Sequence, residues 1–122
     1  MIDDNHDAAA LHNARETLLG AGAQNLPRPP WSHPNLPPDD VTLLRFAHWR
    51  ASAASLEPTE IGAALRLIDS ARAELEGLES ALLFIARADG LTWAEIAEPL
   101  GVRSPQAAQQ RFHRVSSRSD GR

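Results

Sequence analysis

The sequence predicts an all-α protein: a helical bundle with a long central helix and two short helices at its C-terminal end. Three observations predict this. No segment shows the strict apolar–polar alternation of a half-buried strand. Apolar residues recur instead at helical spacing, most regularly between Ile61 and Ile85. Capping residues, glycines and prolines bracket the apolar stretches, as they do at helix ends. At 122 residues the chain is expected to form one compact domain with one core.

Asp7 to Leu19 reads as a first helix, stopped by Gly20 and Gly22. The stretch LPRPPWSHPNLPP, Leu26 to Pro38, cannot be regular helix, because proline lacks the backbone donor and fixes φ. It is expected to be extended, either as a linker or as an arm anchored on a partner by Trp31 and Leu36. Asp39 is a good N-cap for a second helix running to about Ser55. Residues 1–57 thus hold the N-terminal helices and the proline-rich arm.

Pro58 opens a third helix, expected to be long and to occupy residues 58–88. Ile61, Ala64, Ile68, Ala71, Leu75, Leu78, Leu82 and Ile85 follow one another at alternating spacings of 3 and 4, all apolar. That is a heptad-type seam. It can pack within the chain or pair with its copy in a second chain, and small Ala64 and Ala71 would let two helices approach closely. Homodimerisation is the expected use. Gly77 inside the seam costs about 1 kcal/mol relative to alanine and is a place for a bend.

Residues 89–118 carry the densest local signals. Asp89-Gly90 ends the long helix, and Thr92 with Glu95 three residues on forms a capping box. A short helix from Trp93 to about Leu100 is closed by Gly101. Ser104 caps the next helix, Pro105 takes its first position, and it runs to about Ser116. Ile96, Ala97 and Leu100 face inward, Val102 plugs the turn, and Ala108, Phe112 and Val115 form a buried stripe. The whole is a helix-turn-helix, with residues 119–122 as a tail.

The GLTWAEIAEPLGV stretch from Gly90, followed by RFHRV from Arg111, resembles the promoter-reading C-terminal domain of bacterial sigma factors and related regulators. The likeness covers about 30 residues, and the turn at Val102-Arg103 is one residue longer than in sigma factors. No other segment matches the parts of a sigma factor that bind polymerase or melt a promoter. The resemblance implies a module that binds double-stranded DNA, with the transcription machinery as a further partner.

With the Ala108 stripe inward, a rotation of about 100° per residue turns Gln106, Gln110 and His113 outward, flanked by Gln109 and Arg114. Glutamine matches the donor–acceptor edge of adenine in the major groove. Gln106 and Gln110 are therefore the expected base readers, and Arg103, Arg114 and Arg118 the expected phosphate contacts. Thr92, Trp93 and Ser104, at the starts of the two helices, complete the expected interface. For Trp93, packing against the preceding loop is an equal expectation.

Charge agrees with this placement. The net charge is −4, but residues 101–122 carry five arginines against Asp120 alone, while residues 1–86 carry six arginines against twelve acids. All 12 basic residues are arginine and there are 9 prolines, a bias expected of a GC-rich bacterial genome. There is no cysteine, which excludes disulfides and thiolate metal sites. The five histidines show no ligand spacing, and no phosphate loop or nucleophile motif is present, so neither an enzyme nor a cofactor or metal is expected. No run approaches the roughly 20 apolar residues of a membrane helix, and the acidic start is not a signal peptide. The expected protein is a cytoplasmic, nucleoid-associated, dimeric regulator of transcription. Two alternatives stand beside it: a module that docks a transcription partner, and a nucleoid-architectural protein without sequence preference.

Overall fold

The computed structural model describes residues 4–120; the last two residues of the expected tail, with the basic Arg122, lie outside them. The regular structure of the described residues is all helical, with no strand. Helix α1 spans Asp4–Gly20, α2 Asp40–Ala53, α3 Pro58–Arg66, α4 Ile68–Ala88, α5 Trp93–Leu100 and α6 Pro105–Asp120, and a single 3-10 turn covers Ala23–Asn25. None of the described helices is long and apolar enough to cross a membrane.

The chain divides into two compact units, residues 1–72 and 73–122, where its length predicts one domain. Each unit has its own small core. In the first, Ala14 and Leu18 of α1 meet Leu43, Phe46 and Ala47 of α2 and Ala63 and Leu67. Alanine at three of these helix positions lets the backbones approach closely while leucine and phenylalanine fill the remaining space.

Polar contacts fix the start of α2 and the register of the first unit's helices. Asp39 caps α2, its Oδ1 accepting from the Thr42 N–H at 2.8 Å. The next residue, Asp40, turns inward and is only 2% exposed. Arg15 of α1 donates to both its carboxylate oxygens, Nε to Oδ1 at 2.8 Å and Nη2 to Oδ2 at 2.9 Å. Ser70 Oγ, in the first turn of α4, donates to Oδ2 at 2.5 Å. At the end of α1, Gly22 takes φ 131°, and Arg50 of α2 donates to the Ala21 carbonyl at 2.6 Å. A β-carbon at Gly22 would lie 3.4 Å from the Phe46 ring in a backbone conformation that favours glycine.

The proline-rich stretch is not an extended arm. It folds into two turns, closed by Ser32 N–H to Pro29 O and Leu36 N–H to His33 O, each at 3.1 Å. Arg28 clasps them, donating to the carbonyls of His33 and Leu36. Prolines restrict the backbone, but this guanidinium, which no proline pattern reveals, closes the loop. Trp31, the expected anchor, is 81% exposed at its tip.

Nor is the long helix continuous. It breaks at Leu67, between α3 and α4, and runs straight through Gly77. The Leu67 N–H donates to Ala64 O, three residues back, so the turn tightens there. Leu67 itself is fully buried in the first core. No glycine or proline marks the site; packing of Leu67 against α1 and α2 outweighs the local preference to continue. The seam therefore splits. Ala64 packs on the first core and Ala71 is buried, while Leu75, Leu78, Leu82 and Ile85 remain exposed along α4.

Candidate nucleic-acid interface

In the second unit, α4 ends in a left-handed glycine: Gly90 has φ 95°, and the Leu91 N–H reaches back to Ala86 O at 3.1 Å. Helix α5 starts in the expected capping box, Thr92 Oγ1 accepting from the Glu95 N–H at 3.1 Å and the Glu95 carboxylate accepting from the Thr92 N–H at 2.8 Å. The two hydrogen bonds from Thr92, backbone first, hold the Glu95 carboxyl below its ordinary pKa. Gly101, φ 79°, ends α5, and Val102 N–H closes onto Ala97 O. Ser104 Oγ then caps α6 by accepting from the Ala107 N–H at 3.1 Å.

Ile96, Ala97, Ala108 and Val115 are buried together with Leu83 of α4, and Leu100, Val102 and Phe112 pack around them. The inward stripe of α6 is thus the expected one. Its opposite face carries Gln106, Gln109, Gln110, His113 and Arg114, all exposed. No acidic residue occurs in α6 before Asp120. The face offers amide donors and acceptors, an imidazole and a guanidinium, with no carboxylate among them to repel an anion.

The remaining expected contacts are placed as follows. Arg103 is exposed in the turn, without an ion-pair partner among the described residues, as is Arg114. The hydroxyls of Thr92 and Ser104 are spent on the caps. Trp93 is half-buried; its ring lies 5.8 Å from that of Phe112, and the Arg87 guanidinium stacks on it at 4.8 Å. Its ring is a packing element. Arg118 points to α4, where it donates to Glu76, and Arg111 donates likewise to Glu79. Ser80 and Ser116 share a hydrogen bond at 3.0 Å beside them. These contacts between α4 and α6 are 32 to 42 residues apart, and no local spacing announces them.

On α4, Leu75, Leu78, Leu82, Phe84 and Ile85 are 53–65% exposed, whereas Leu83 is buried and Ala86 packs against the core that α5 and α6 share. Phe84 and Ile85 also line a shallow groove with Gly77, Ala81, Phe112 and Ser116. Phe84 lies about 100° round the helix from Ile85, outside the seam, on the side that borders this groove.

No family model matches this chain, and neither a curated protein nor a solved structure is similar to it.

Proposed function

We propose that this is a sequence-selective protein for double-stranded DNA, a dimeric bacterial regulator of transcription acting at the nucleoid. In this reading α5 and α6 form a helix-turn-helix and α6 enters the major groove. One observation carries it: an acid-free polar face of glutamines, His113 and Arg114 stands opposite a buried apolar stripe on a capped helix. Gln106 and Gln110, within two turns of the Ser104 cap, read bases. Gln109 and His113 flank them, and Arg103 and Arg114 meet the backbone. The exposed face of α4, around Leu75, Leu78 and Leu82, joins two copies, so that two α6 helices address paired half-sites.

The test is a selection of bound sequences from a random duplex pool. Gln110→Ala is expected to relax preference at one or two base pairs, a loss of about 1–3 kcal/mol of discrimination, and to spare weak binding to random DNA. Identical motifs from both proteins would remove Gln110 from the base contacts. A wild type that enriches no motif, yet binds, would favour the architectural reading. Arg114→Ala is expected to weaken binding to every sequence and to flatten the salt dependence by about one unit, since one phosphate contact is lost. An unchanged slope in titrations at several salt concentrations would move Arg114 off the interface.

A second reading rests on the exposed apolar residues of α4 and on Trp31: a module that docks a protein of the transcription machinery. Binding through such surfaces is insensitive to salt, whereas phosphate binding weakens steeply with it.

A further inference from the structure

On the reading that α6 meets DNA, we propose that Glu76 and Glu79 of α4 restrain the sequence-independent affinity of this face for DNA. They hold Arg118 and Arg111 away from DNA phosphates and so suppress affinity for irrelevant sequence. Arg111, Arg114 and Arg118 are spaced by 3 and 4, which gathers them within about 60° on one flank of α6, beside the glutamine face. Such a row would follow a phosphate strand. Two of the three are already engaged, Arg111 with Glu79 and Arg118 with Glu76, and Arg114 has no ion-pair partner among the described residues.

The pairs resist exchange because of where the carboxylates sit. The side chains of Glu79 and Glu76 are only 22% and 27% exposed. A guanidinium that left for a phosphate would leave a half-buried carboxylate without its cation, which opposes the exchange. A carboxylate and a phosphate also compete for the same fork of N–H donors. Contacts to phosphate raise affinity for all sequences alike, whereas the glutamines act on bases only. Withholding two of three cations therefore lowers the sequence-independent affinity that all sites share, so that random DNA is held weakly and occupancy depends on the base contacts. Glutamine in place of each glutamate keeps the size and a hydrogen bond but removes the charge that holds the arginine.

The experiment compares the full-length protein with Glu76→Gln/Glu79→Gln on random-sequence duplex DNA between about 50 and 200 mM salt. The variant is expected to bind more tightly at low salt, with a slope of log affinity against log salt steeper by about one to two units. The preferred motif should keep the same bases, because no base contact is changed. Arg111→Gln/Arg118→Gln in the wild type should leave the slope nearly as it was, and added to the glutamine pair it should cancel the gain. A variant slope equal to that of a DNA-binding wild type overturns this inference and leaves the DNA reading intact. So does an Arg111→Gln/Arg118→Gln protein whose slope is flatter by about two units, because the arginines would then already lie on phosphate. A wild type and a glutamine variant that both ignore DNA overturn the two together.

Discussion

Arg15→Ala is expected to destabilise the N-terminal unit by about 3 kcal/mol, because it strands a buried carboxylate. Asp40 is 2% exposed, and Arg15 supplies both its charge partner and two of its hydrogen bonds. The low end of the range for a broken buried pair applies, since the Arg15 side chain is itself 34% exposed. Denaturant unfolding of wild type and variant measures the loss. A difference under about 1 kcal/mol would mean that water reaches and solvates Asp40 once the guanidinium is gone.

The pH dependence of that difference has a definite sign. Burial pushes the Asp40 carboxyl up, but hydrogen bonds from Arg15 and Ser70 and the charge of Arg15 outweigh it, and the net shift is downward. A carboxyl held below its unfolded value of about 3.9 contributes stability in full above that pH and loses it as pH falls through the lower folded value. In Arg15→Ala only the Ser70 hydrogen bond still opposes burial, so the folded carboxyl rises from its wild-type value. That variant therefore has less stability to lose as pH falls. The gap between the two proteins should therefore narrow on acidification. A gap that widens would show that Arg15 stabilises the unit by some route other than Asp40.

If α4 joins two copies as proposed, Leu75→Glu/Leu78→Glu is expected to leave the protein monomeric. The five large apolar side chains exposed along α4, four of them in one stripe, present on the order of 500 Å² of apolar surface, as much as the largest patch of a typical monomer. Two copies facing each other would bury about 1,000 Å², near the lower limit for a specific interface. The variant places four unpaired charges there and should weaken association by at least about 4 kcal/mol, roughly a thousandfold. In a lone chain both leucines are already more than half exposed, so the same variant should leave the monomer's stability within about 0.5 kcal/mol. Light scattering on wild type and variant reads the outcome. A wild type that remains monomeric at about 1 mM would sink the dimer, because a contact weaker than that carries under roughly 4 kcal/mol.

What the sequence determined by itself is the local part of this protein. The Asp39 cap, the Thr92–Glu95 box, the Gly101 stop, the Ser104 cap and the inward stripe Ala108, Phe112 and Val115 all depend on residues within about two turns of one another. Hydrogen-bond geometry and helical period act over that range, so they are legible from spacing. The candidate face of α6 follows from them, because fixing the buried stripe fixes its opposite.

Only the tertiary structure decided the rest. Arg15, Asp40 and Ser70 are separated by 25 to 55 residues, and their meeting depends on which helices share a core. Leu67 looks like any helical leucine, yet its burial interrupts the seam and divides the expected long helix in two. Arg28 turns a proline-rich stretch into a clasped loop, and Glu76 and Glu79 claim two arginines that charge counting assigns to a basic end. In each case a long, flexible or fully buried side chain chose a partner across the fold. Such choices are set by packing and desolvation, which act in space, and periodicity along the chain carries no record of them.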